Sequence, residues 1–303
     1  MTGFHPEGHS ESDFRRKYTL KEITVAEQTG EILEAVAYMC DGDHNLLVDL
    51  GCMKGVIPRS EGAIGIAEGI TRDIALISRV GKTVCFTVEE LSSDGGGGTV
   101  ALLSRKKAQL RCREEFLSGL ASGDVINAKI THLESFGAFC DVGCGNVALM
   151  PIDAISVSRI SHPSDRFSVG EEIRAIIKSV DRAGRITLSH KELLGTWEEN
   201  AAQISQGETV SGVVRSVEDY GIFVELAPNL AGLAEPKDGV KVGQGAGVYI
   251  KSILPDKMKV KLIIIDTFDS PPVKRNEYFF KGEHIDRFIY SPENASKYIE
   301  TVF

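Results

Sequence analysis

The sequence predicts an all-β-dominated protein of three tandem five-stranded barrels, joined by short helices and followed by a small C-terminal extension. Three observations carry this: an internal repeat, period-two alternation within each copy, and glycine turns between short strands. Gly123-Asp124-Val125-Ile126 returns 84 positions later as Gly207-Glu208-Thr209-Val210, and Phe136-Gly137-Ala138-Phe139 returns at the same offset as Tyr220-Gly221-Ile222-Phe223. Ile177-Lys178-Ser179 returns as Ile250-Lys251-Ser252 after only 73 positions, so the later copy lacks about one loop. An earlier, degenerate copy sets Leu47-Val48-Asp49-Leu50-Gly51 in the slot of Phe139-Cys140-Asp141-Val142-Gly143. It closes with Ser104-Arg105-Lys106 as the next closes with Ser189-His190-Lys191.

Taken in order, residues 1–29 are an N-terminal extension and 30–105 the degenerate first repeat, with Asp94-Gly95-Gly96-Gly97-Gly98 as a mobile hairpin tip. Residues 106–118 form a basic helical linker; the helix-forming run from Ser104 to Leu120, with Ser104 as its cap, reads as a semi-rigid spacer. Residues 119–194 are the second repeat, where Ile126, Ala128 and Ile130 alternate with Asn127, Lys129 and Thr131 as a half-buried strand does. Residues 195–204, within a helical stretch from Lys191 to Ile204 that holds Trp197, link it to the third repeat at 205–268. There Val210, Gly212 and Val214 take the inward slots, and Ala128 and Gly212 suit a tight inner position. About five short strands in roughly 70 residues is the size of an OB-type barrel. Residues 269–303 are the extension; their aromatics, Tyr278 to Phe303, either pack on the third barrel or form a partner patch.

Composition narrows the function. With 34 Lys and Arg against 43 Asp and Glu in 303 residues, the net charge of −9 excludes a bulk polycation but not local basic grooves. No apolar run reaches the ~20 residues of a membrane helix, and Met1-Thr2-Gly3-Phe4-His5-Pro6-Glu7 has no secretory pattern. The six cysteines include no CxxC pair and read as unpaired residues of a reducing cytosol, with no metal site. No phosphate-binding GxxxxGK[ST], no GxSxG and no HExxH occurs, and Gly143-Cys144-Gly145-Asn146-Val147-Ala148, which formally fits GxGxxA, reads as a β-turn. No catalytic constellation and no cofactor site is expected.

The second unit, GDVINAKITHLESFGAFCDVG…SRISHPSDRFSVGEEI…VDRAGRITLSHKEL, closely resembles the S-one (S1) RNA-binding domain. The third, GETVSGVVRSVEDYGIFVELA…VGQGAGVYIKSI, resembles it almost as well, and the first only in outline. The order of three copies, weak first, is similar to the short ribosomal S1-like proteins of low-GC Gram-positive bacteria. The resemblance implies an OB fold, no enzyme activity, and binding to single-stranded RNA and mRNA in translation at the small ribosomal subunit. It also implies a bacterial cytoplasmic setting without membrane or small-molecule ligand. The alternatives are an RNA-binding regulator or decay accessory off the ribosome, or an OB-type protein-docking module, which the acidic net charge favours.

Residue by residue, Phe136 and Phe139 bracket a glycine and either stack bases or serve the core; Tyr220 in the later copy, beside Phe223, favours exposure of at least one ring in each pair. Arg185, read as strand-borne, and Lys259 and Lys261, which alternate with Val260 and Leu262, are candidate phosphate contacts. By resemblance, Phe136, Phe139, Asp181 and Arg185 fall on RNA-contacting positions, and Tyr220, Phe223 and Lys259 on their later counterparts. The family's histidine after the third strand is replaced by Pro151 and Glu235, and His162, in the basic loop Arg159-Ile160-Ser161-His162-Pro163, is a candidate substitute or a plain loop histidine. Arg105, Lys106, Lys107, Arg111 and Arg113 either line an RNA path or form a solvated helix face. At the slots of the aromatic pair the first copy carries His44 and Leu47.

Overall fold

Three β-barrels account for the chain, in a computed structural model that describes residues 4–8, 17–93, 98–269 and 277–303. Residues 94–97 of the expected hairpin tip lie outside the described residues. The first barrel comprises β1 (Leu33–Cys40), β2 (Leu46–Asp49), β3 (Lys54–Ile57), β4 (Thr83–Ser93) and β5 (Thr99–Ser104). It closes in the order β1-β2-β3-β5-β4, with β3 and β5 parallel and the other pairs antiparallel. The second, of β6 (Val125–Glu134), β7 (Gly137–Asp141), β8 (Val147–Pro151), β9 (Glu172–Val180) and β10 (Ile186–Ser189), repeats that order. So does the third, of β11 (Thr209–Glu218), β12 (Gly221–Ala227), β13 (Leu230–Ala234), β14 (Gly245–Leu254) and β15 (Lys259–Phe268).

Alternation decides which residues fill each barrel. Ile126, Ala128 and Ile130 are buried along β6, as are Ile186 and Leu188 on β10 and Val260 and Leu262 on β15. Helix α1 (Leu20–Thr29), capped by Thr19 and Glu22 in a reciprocal box, buries Ile23 and Ala26 in the first core. The short α2 (Ile74–Ile77) adds Leu76.

Helix α3 (Arg105–Glu115) starts at the expected Ser104 cap but is a docked element, not a free spacer. Ala108, Gln109 and Cys112 are buried along it. Gln109 Nε2 donates to the Gly145 carbonyl at 2.9 Å, and Asn146 Nδ2 donates to the Gln109 carbonyl at 3.2 Å. The segment 143–146 is the expected turn. Cys85, Cys112 and Cys144 are buried, Cys85 Sγ donating to Glu34 Oε1 at 3.1 Å, and all six cysteines are free thiols.

The second helical stretch splits into a 3-10 turn (Lys191–Leu194) and α4 (Trp197–Ala201), parted by Gly195 at φ 84°. Trp197 is buried in the third core beside Phe288 and Tyr290 of the extension. The extension forms a hairpin of β16 (Arg287–Ile289) and β17 (Glu300–Val302), and its Phe288 and Tyr290 are packed into the third barrel's core, while Tyr298 is exposed. Tyr290 Oη donates to the Asn229 carbonyl at 2.6 Å, and Trp197 N donates to the Tyr290 carbonyl at 3.0 Å.

Tyr278 of the extension covers His190, whose ring is fully buried. The ring nitrogens lie 3.1 Å from the Ile155 carbonyl and 3.2 Å from Tyr278 Oη, an arrangement that suits neutral imidazole donating to the first and accepting from the second. Burial pushes the His190 pKa down from 6.5 to about 4. The unfolded chain therefore binds this proton more readily, and the stability contributed above pH 6.5 is lost as pH falls from 6.5 to about 4. We predict a loss of up to about 3 kcal/mol over that window. Urea midpoints at pH 7 and pH 5 check it: His190→Gln is expected to shrink the difference seen in the wild-type chain, and an unchanged difference contradicts it.

Candidate nucleic-acid interface

The two-residue turn between β6 and β7 lifts Phe136 clear of the barrel, where it is 55% exposed. Phe139, three residues on in β7, is half-buried and meets Phe136 edge to face, with ring centroids 6.0 Å apart and planes at 89°. The third barrel repeats this: Tyr220 is 69% exposed and meets half-buried Phe223 at 6.2 Å and 85°. Neither pair belongs to the core, and the outer ring of each presents a free face for stacking.

Glycine is required between the rings. A Cβ at Gly137 would lie 2.4 Å from the Met150 carbonyl oxygen, and one at Gly221 would lie 2.6 Å from that of Ala234. Only glycine lets the hairpin press against the next strand with an aromatic on each side. His132, exposed on β6, extends the second-barrel array by lying nearly parallel to Phe139, at 6.3 Å and 26°. It was not singled out from the sequence, because simple alternation puts position 132 on the same side as the buried Ile130, yet the structure leaves it exposed; the third copy has Ser216 there.

Register shows what accompanies the rings. In the third barrel Phe223 pairs with Leu233, Leu233 with Lys261, and Lys261 with Ser252, forming one row across the outer face. At ~4.8 Å per strand, Lys261 is about 10 Å from Phe223. Lys259 is also exposed on β15, one outward position back. Glu235 is matched by Lys251 Nζ at 3.1 Å, which offsets its repulsion toward phosphate. The second barrel has Leu149 paired with Thr187 in the equivalent row, so Thr187 stands where the third has lysine. Arg185 precedes β10 and is not strand-borne as expected; the Asp181 turn is what orients it, with Asp181 Oδ1 accepting from Arg185 N at 2.9 Å and Oδ2 from Arg185 Nε at 2.6 Å. The backbone and side-chain hydrogen bonds from Arg185 hold the Asp181 carboxyl below its usual range, while Arg185 itself is 84% exposed.

His162 caps a 3-10 turn (Pro163–Asp165): its Nδ1 accepts from Ser164 N at 3.2 Å and lies 2.8 Å from Ser164 Oγ. The five cations of α3 are engaged in the protein. Arg105 is 4% exposed and grips Glu7 through Nε at 2.6 Å and Nη2 at 2.8 Å. Lys106 faces Glu68, Lys107 faces Glu89, Arg111 pairs with Glu115, and Arg113 donates to Asn146 Oδ1. They form no free basic track.

The first barrel lacks the site. Register places Met39, Leu47, Val56, Leu102 and Glu90 in the row occupied elsewhere by aromatics and cations. Its residues 30–105 carry eleven Asp and Glu against six Lys and Arg. Among the described residues no group of three or more His, Cys, Asp or Glu is placed to hold a metal ion, and no helix is long and apolar enough to cross a membrane.

Residues 120–191 match the S1 RNA binding domain. Small ribosomal subunit protein bS1 homolog of Bacillus subtilis (strain 168) is 29% identical over 282 residues, 88% of this chain and 69% of its own. Small ribosomal subunit protein bS1 of Staphylococcus aureus (strain COL) is 31% identical over 265 residues, 82% of this chain and 64% of its own. The chain thus spans about two thirds of the length of these relatives.

Proposed function

Since the chain carries an S1 RNA-binding domain at residues 120–191, we infer that it binds single-stranded RNA without catalysis and holds mRNA at the small ribosomal subunit in the bacterial cytoplasm. The observation that carries this reading is the same edge-to-face aromatic pair, exposed at the same hairpin in two successive barrels. Phe136, Phe139, Tyr220 and Phe223 stack bases, each stack contributing ~1–3 kcal/mol with little base preference. Arg185, Lys259 and Lys261 meet phosphates, and Asp181 positions Arg185. In this reading residues 119–194 and 205–268 are the RNA-holding repeats, and 30–105, without the paired rings at the hairpin or surplus cations, is not.

The test is a fluorescence-anisotropy titration of the full chain with an unstructured RNA and with the matching duplex. Micromolar affinity for the single strand is expected, with log affinity falling against log salt by about 0.7 for each phosphate neutralised. Tight duplex binding with none to the single strand contradicts it. Sucrose-gradient fractionation separates the ribosomal role from a regulator or decay factor acting free of the ribosome: co-sedimentation with small subunits supports the first, and recovery only at the top of the gradient supports the second.

A further inference from the structure

The second barrel's β8–β9 loop is long, residues 152–171, whereas the third barrel's corresponding β13–β14 loop is short, residues 235–244. The long loop does not stay on its own barrel. Its Arg166 Nη2 lies 2.5 Å from Glu225 Oε2, and Arg215 of β11 bridges back, reaching the same oxygen at 2.7 Å and Asp165 Oδ2 at 3.2 Å. Arg166 is 3% and Glu225 1% exposed, so this anchor is shut off from water. The loop backbone is tied as well: Ser158 N donates to the Pro228 carbonyl at 3.1 Å and Val157 N to Asn229 Oδ1 at 3.0 Å.

The place of docking matters. Ile222 and Val224 point into the third core, so Phe223 and Glu225 are successive outward positions of β12, roughly 7 Å apart. The loop therefore sits on the same outer face as the Tyr220–Phe223 pair. It brings Arg159, which is exposed and makes no ion pair with the described residues, and His162, held by the turn whose Asp165 is anchored to Arg215.

We propose that the third barrel's RNA site is composite: the long loop that this barrel lacks is supplied by its neighbour, and Arg159, with His162 of the same loop, contacts the backbone phosphates of the strand stacked on Tyr220 and Phe223. This rests on the RNA-binding reading above and adds which barrel the basic loop serves. The second barrel's own rings then rely on Arg185 alone among the cations considered, and a single RNA strand engages both barrels through one shared loop.

A double-mutant cycle on the full chain tests it, with anisotropy on an unstructured RNA near 100 mM salt. Arg159→Gln is expected to weaken binding about three- to tenfold and to reduce the salt slope by about 0.7, one phosphate's worth on a single strand. Arg159→Lys is expected to restore most of both. The effect of Arg159→Gln should vanish when Tyr220 and Phe223 are already alanine, and persist in full when Phe136 and Phe139 are. The reverse pattern overturns the proposal by returning the loop to its own barrel, and so does a neutral Arg159→Gln, or an effect equal in both backgrounds, in a chain that binds RNA. A wild-type chain that binds no single-stranded RNA at all overturns the RNA reading, and this inference with it. Arg159 is exposed, so the variant's fold is not at stake; an unchanged melting temperature verifies this.

Discussion

Phe136→Ala combined with Phe139→Ala is expected to weaken binding of unstructured RNA by about 2–5 kcal/mol, the worth of two base stacks. The structure separates the two rings. Phe136 is more than half exposed, so its loss alone should leave stability within about 0.5 kcal/mol of wild type. Phe139 is half-buried against Phe136 and His132, so its removal carries an added packing cost of about 0.5–1.5 kcal/mol. Melting and binding measured on the same single and double variants check both halves. Full RNA affinity in the double variant, or a loss of ~3–5 kcal/mol of stability per ring as for a core phenylalanine, contradicts the stacking role.

Arg105→Met is expected to destabilise the fold by about 3–5 kcal/mol while leaving the RNA affinity of the folded chain unchanged. The substitution strands the Glu7 carboxylate, 4% exposed, with Arg79 at 3.4 Å as its remaining ion-pair partner. Burial alone raises the Glu7 pKa, but the charge and hydrogen bonds of Arg105, with Arg79, outweigh it and hold it below 4.5. A depressed carboxylate contributes stability above its unfolded pKa and loses it as pH falls through the folded value. The acid limb of the wild-type stability profile below pH 4.5 should therefore flatten in the variant. Urea denaturation across pH 3–7 with parallel RNA titration is the check. Intact stability with lost RNA binding would instead place α3 on the RNA path.

The barrels were legible because each depends on local patterns. Alternation at Ile126-Ala128-Ile130 and at Val260-Leu262 needs no distant partner, and the 84-residue repeat together with the degenerate first copy supplied the copy number. The aromatic pairs were legible for the same reason: a ring on each side of a glycine fixes the hairpin geometry within four residues. What escaped depends on contacts far apart in the chain. Arg105 reads as one cation of a basic helix, and only Glu7, 98 positions away, makes it a buried ion pair. The aromatic extension was ambiguous between packing and partner patch until Tyr290 was seen bonded to Asn229 and Tyr278 to His190. Arg185 looked strand-borne because Ile186 and Leu188 alternate correctly; the Asp181 turn consumes one more residue than alternation suggests. His162 carried no sequence signal for its cap, since histidine is an unusual residue there.

Photo-crosslinking of the full chain to an unstructured RNA carrying 4-thiouridine, followed by mapping of the crosslinked peptides, tests the central claim most directly. Crosslinks are expected at Phe136 and Phe139 and at Tyr220 and Phe223, with none at His44 and Leu47 of the first barrel. Crosslinks confined to the first barrel, or to α3, would contradict RNA binding through the paired rings of the second and third barrels.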